Sequence, residues 1–183
     1  STFAEMIVAD AAVKEATTDD EKIALLEDKI QRSVAFFMNI HARFLFETRF
    51  YEERKNGIVS AARLNDLMVA AQQEAYGDAL DTTHPHFWAS KLHFYITGVP
   101  FYNFPYTFGY LFSLSIYAKA ISEGANFEEK YIALLQDTAV MSVEDLAMKH
   151  LNEDITQEAF WIKGIDLCIQ DVKEFIQLTN AKG

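Results

Sequence analysis

A chain of 183 residues with 50% hydrophobic and 23% charged side chains lies far from the composition of disordered segments and has material for a sizeable core. Seven glycines and three prolines are too few for the many turns of a sandwich or barrel, so the composition leans toward helices. A net charge of −11, with lysine and arginine scattered singly, argues against a nucleic-acid partner and against binding to an anionic membrane.

The first predicted element is a helix over residues 1–16, with apolar positions at Phe3, Met6, Ile7, Val8, Ala11 and Val13. Ser1–Met6 reads as a helix entered midway, as in a fragment, and has no signal-peptide character. Thr17-Thr18-Asp19-Asp20 breaks the pattern, and Thr18 or Asp19 is placed to cap the next helix. That helix carries the strongest period in the chain. Ile23, Ile30, Phe37, Phe44 and Tyr51 recur at sevens, with Leu26 and Ile40 between them. It reaches about Lys55, where Asn56-Gly57 predicts a left-handed stop. At 1.5 Å per residue such a rod is roughly 50 Å long, which outspans a small domain.

Ser60 is expected to cap a helix to about Tyr76, with Leu64, Leu67, Met68 and Ala71 inward and Gly77 as its stop. Residues 78–104 are irregular, apart from a short turn over Phe87–Leu92. Pro105 suits the first turn of a helix running to Glu123. Further helices are predicted from about Asn126 to Leu135, from Ser142 to His150, and from Thr156 to about Leu178. The one cysteine, Cys168, lies in the last of these as a core thiol; a chain without disulfides fits a reducing, cytoplasmic setting. No run of 18 uninterrupted apolar residues occurs, so no membrane span is predicted. Short loops throughout point to a single all-α body.

One stretch concentrates chemistry. His93 to Phe112 holds a histidine and Tyr95, Tyr102, Tyr106 and Tyr110. In a helix starting near Pro105, Tyr106 and Tyr110 stand one turn apart on one face. Phenol hydroxyls are neutral donors at pH 7, suited to a developing oxyanion. Aromatic residues at helical spacing are also ordinary core, and spacing alone leaves both readings open. His84-Pro85-His86 has the look of a metal pair, but no third ligand is evident, and packing histidines are the plainer reading. His150 near a helix end suits the dipole, and Trp88 and Trp161 read as core anchors.

The run Phe101-Tyr102-Asn103-Phe104-Pro105-Tyr106-Thr107-Phe108-Gly109-Tyr110-Leu111-Phe112, preceded by His93-Phe94-Tyr95, resembles the C-terminal active-site segment of oligoendopeptidase F, of the thimet oligopeptidase family. The likeness extends from Ala71 to Leu114, and Arg43–Glu47 with Phe50–Arg54 resemble that family's long helix. The resemblance implies the helical C-terminal half of a zincin-like zinc metalloendopeptidase, built around a deep channel that admits short peptides. It implies a His-Glu-x-x-His helix and a downstream glutamate as zinc ligands. None of the five histidines is followed by glutamate, so those ligands are expected upstream of Ser1, with none in this chain and possibly no metal bound to it. Ser1–Glu5 matches the second half of the family's Glu-x-(Ala/Pro)-Ser-x-x-x-Glu pattern, which makes Glu5 a candidate for orienting the metal site from behind its ligands. His93, Tyr102, Tyr106 and Tyr110 become the residues expected to hold peptide and oxyanion. Tyr110 matches best, whereas the register of His93 and Tyr102 varies between subfamilies. The expected partners are short peptides and the N-terminal remainder of the same protein; the isolated chain is expected to be inactive. The competing expectation is a helical interaction module that uses the aromatic stretch as a docking groove.

Overall fold

A computed structural model of the chain describes residues 2–181. Every regular element among them is helical. In chain order these are α1 (Thr2–Glu15), α2 (Asp19–Val34), α3 (Ile40–Arg54), α4 (Ala61–Tyr76), α5 (Phe104–Glu123), α6 (Phe127–Gln136), α7 (Val143–Leu151) and α8 (Glu158–Asn180). No helix among the described residues is long and apolar enough to cross a membrane.

Cap chemistry explains several of the boundaries. The Thr18 hydroxyl accepts from the Glu21 amide at 3.2 Å, while the Glu21 carboxylate accepts from the Thr17 amide at 3.0 Å, a reciprocal pair that opens α2. Ser60 and Ser142 accept from Arg63 and Asp145, each at 3.2 Å, and open α4 and α7. Gly77 and Asn152 end those two helices in the left-handed conformation. The expected left-handed stop at Gly57 is different: its φ is +138°, and two tight turn bonds, from Asn56 to Glu53 and from Gly57 to Arg54, close the helix end instead. Thr156 does not cap α8. Gln157 holds that position without a side-chain capping bond; the Thr156 amide and hydroxyl donate to Asp154, and the Gln157 side chain donates to the Thr156 hydroxyl.

Between α2 and α3 the helical turns continue through a π segment, Ala35–Asn39. A π turn shifts the ladder by one residue and leaves backbone groups to be satisfied elsewhere. The Thr107 hydroxyl donates to the Phe36 carbonyl at 2.7 Å. The shift also interrupts the period of sevens. The buried residues of this stretch are Leu26, Ala42, Phe46 and Glu47, whereas Ile23, Ile30, Phe37 and Phe44 are half-buried and Tyr51 is exposed.

The chain packs as two compact units. The first comprises the residues up to Ile30 with those from Gly109 onward. Its core includes Leu26, Leu114, Ile116, Phe127, Leu134, Leu151 and Phe160. Phe3 stacks on Tyr131 with ring centroids 4.2 Å apart. Gly164 of α8 lies so close to α5 that a β-carbon there would sit 2.8 Å from the Ser115 amide nitrogen. Cys168 is buried and in no disulfide, and the Trp161 indole donates to the Ile155 carbonyl. The second unit runs from Gln31 to Phe108, with Phe46, Leu67, Met68 and Ala71 at its centre and Trp88, Phe87 and Phe94 packed against them.

Candidate functional site

The aromatic stretch is held by α3. Residues Phe44, Glu47 and Tyr51 are spaced i, i+3, i+7 and share one helical face. All three meet Phe101. The Glu47 carboxylate accepts from the Phe101 amide at 2.8 Å, and the Phe101 ring lies 6.0 Å from Phe44 and 5.2 Å from Tyr51. Phe101 has φ +55°, a conformation that a non-glycine residue adopts only when its surroundings over-determine it. One turn earlier on α3, Arg43 donates to Asn103 Oδ1 at 3.3 Å and to Asn39 Oδ1 at 2.7 Å, with its guanidinium over the Phe87 ring. Asn103 is buried at 1% exposure. From residue 104 the chain enters α5.

Tyr102 therefore projects between two anchored neighbours. Its ring stacks on His93 at 4.7 Å between centroids. The Tyr106 hydroxyl, one turn into α5, lies 3.3 Å from the Tyr102 hydroxyl. With Tyr106 donating, the Tyr102 proton is directed outward, and bonds in series polarise one another. Tyr102 and Tyr106 are 36% and 45% exposed, so both hydroxyls are within reach of a ligand. The bond to Tyr102 holds the Tyr106 phenol above its ordinary range, so it stays a neutral donor at pH 7. His93 Nδ1 is buried and has no hydrogen-bond partner. Burial pushes the Glu47 carboxyl up; the Phe101 amide and the charge of nearby His93 pull the other way but do not offset it.

Of the expected site residues, the structure brings His93, Tyr102 and Tyr106 together. Tyr110 follows one turn later on α5 and is buried at 5% exposure. Glu5 lies in the first turn of α1, on its exposed side. Glu47, Arg43 and Asn103 are the additions. The signal for Glu47 is in the sequence: a lone acid on the same helical face as Phe44 and Tyr51 needs a polar partner from elsewhere.

Other features separate from this group. His84 and His86 have ring centroids 6.3 Å apart. The Gln72 side chain holds the backbone of His84, and Asn65 lies 3.4 Å from the His86 ring nitrogen. Among the described residues no three histidine, cysteine, aspartate or glutamate side chains come together as a metal site. A cleft of about 530 Å³ is lined by Asn39, Gln72, Tyr76, His84 and Phe87 among others, and by none of His93, Tyr102 and Tyr106. His150, in the last turn of α7, bonds Asp137 at 2.7 Å. The chain matches no known protein family, no curated protein and no solved structure.

Proposed function

We propose that the chain supplies the substrate-binding and oxyanion-stabilising wall of a zinc metalloendopeptidase of the oligoendopeptidase F type. The observation that carries this reading is the outward pair of coupled hydroxyls on Tyr102 and Tyr106, set against the His93 ring. A neutral donor reinforced by a second hydroxyl suits an oxygen that gains negative charge, because it stabilises that oxygen without bringing a counter-charge. In this reading Tyr102 donates to the carbonyl oxygen of the scissile bond, Tyr106 donates to the Tyr102 hydroxyl and strengthens it as a donor, and His93 packs behind Tyr102. The proposed zinc is held by residues outside this sequence and supplies the Lewis acid and the activated water.

The test is hydrolysis of a quenched oligopeptide by the protein encoded by the whole gene. The expected result is chelator-sensitive cleavage, with no cleavage by the 183-residue chain alone. Chelator-resistant cleavage by the 183-residue chain, or no peptidase activity in the whole protein with zinc, overturns the reading.

A second reading, a helical docking module without catalysis, has one observation of its own. Ile162, Ile165, Ile169, Val172 and Ile176 recur at intervals of three and four along α8 and are 37–50% exposed. That spacing is a coiled-coil seam lacking its partner. In the peptidase reading the remainder of the same protein covers it. A whole protein that binds a helical partner through this seam and cleaves no peptide decides for the module.

A further inference from the structure

Arg43 and Glu47 stand one turn apart on α3, the spacing at which opposite charges ordinarily pair. They do not bond to each other. Arg43 turns to Asn103 and Asn39, and Glu47 turns to the Phe101 amide. The two side chains thus grip the backbone residue before Tyr102 and the side chain of the residue after it. Glu47 is 4% exposed, and a carboxylate that deep is costly unless its bonds are specific. Its bond falls on a residue that is held at φ +55° without being glycine. The rings of Phe44 and Tyr51, on the same face of α3, close on Phe101 from either side of that bond. The Asn103 carbonyl in turn accepts the Tyr106 amide at 3.2 Å, which ties the same loop to the second hydroxyl.

We propose that Glu47 is a positioning residue: its carboxylate, with Arg43 beside it, clasps the chain on both sides of Tyr102 and sets the ring against His93 and the hydroxyl against Tyr106. What Tyr102 does to a substrate rests on the peptidase reading, but how it is held does not. Without the clasp, Phe101 relaxes to negative φ and the Tyr102 ring swings off His93.

The test uses the 183-residue chain and three variants, Glu47→Ala, Glu47→Gln and Glu47→Asp, with thermal melts to establish that each is folded. Stacking by Tyr102 displaces the His93 ring-proton resonances, and the clasp slows hydrogen exchange at the Phe101 amide. In Glu47→Ala the His93 displacement is expected to vanish and Phe101 exchange to speed up on the order of 100-fold, with exchange in the Leu67–Ala71 core unchanged. Glu47→Gln keeps an acceptor oxygen at the same reach and is expected to retain both signals. Glu47→Asp, shorter by one methylene, is expected to lose them in part, and it carries the test if the alanine variant does not fold. Wild-type signals in the alanine or aspartate variant overturn the clasp, and so does a glutamine variant that loses as much as alanine. Because no peptide is present, failure of the clasp and failure of the peptidase reading show up in different experiments.

Discussion

Two tyrosines in this chain have opposite fates. Tyr117, in the first unit, is buried and donates to Asp10 at 2.7 Å. Asp10 shares the Lys29 ammonium with Asp171, at 2.5 and 2.8 Å. Every member of this network is bonded to another, with Tyr117 buried and the three charged groups partly buried. The hydroxyl of Tyr106, in the second unit, donates to another hydroxyl, and the residue is 45% exposed. A phenol surrounded by acceptors stabilises a fold; a phenol whose neighbour is another donor at the surface is available to something outside it. The comparison predicts large stability effects in the first unit and small ones, with large functional effects, in the second.

The largest stability effect is expected from Lys29→Met. It leaves two partly buried carboxylates sharing no cation, a loss on the order of 3 kcal/mol, read by chemical denaturation at pH 7. A melting temperature within a degree of wild type would break the comparison. Gly164→Ala comes next. A methyl group 2.8 Å from the Ser115 amide pushes α8 off α5, which outweighs alanine's higher helix propensity and costs about 1–2 kcal/mol. Replacing Ser60 by alanine removes the cap of α4 and costs about 1 kcal/mol.

The pH dependence sharpens the contrast. Burial pushes the Lys29 ammonium down, but its bonds to Asp10 and Asp171 outweigh this and leave it raised. Burial first, then the bond to Asp10, raises the Tyr117 phenol strongly. Both groups hold their protons longer in the folded chain than in the unfolded one. Their stabilisation is therefore complete below about pH 10 and is lost as pH rises through the folded values. Tyr117→Phe should flatten the alkaline limb of a stability profile more than Tyr106→Phe, whose phenol is also raised but is screened by solvent. Equal effects of the two substitutions would contradict the account. The smallest effect on stability is expected from Tyr102→Phe and Tyr106→Phe together: no measurable change in melting temperature.

Much of this architecture is legible in the residues. Ser60, Gly77, Ser142 and Pro105 mark helix ends by known stereochemistry, and the structure places helix boundaries within a residue or two of them. The inward face of α4 follows from its period. The long helix is harder, because a period of sevens assumes an unbroken ladder, and the π segment at Ala35–Asn39 resets it. That reset exchanges the buried face from Phe44 and Tyr51 to Ala42 and Phe46. The grouping of His93 with Tyr102 and Tyr106 is visible as a cluster in the chain, but its holder is not. Glu47 lies 54 residues from the amide it accepts, and only the fold brings them together. Tyr110 shows the same limit from the other side: spacing puts it on the Tyr106 face, and packing buries it.

The most direct test of the central claim is the steady-state kinetics of Tyr102→Phe and Tyr106→Phe in the protein encoded by the whole gene, on a short peptide at neutral pH. The account predicts a fall in kcat of about 10²–10³-fold for the variant that loses the oxyanion donor, with KM and melting temperature near wild type. Wild-type kcat in both variants would contradict it.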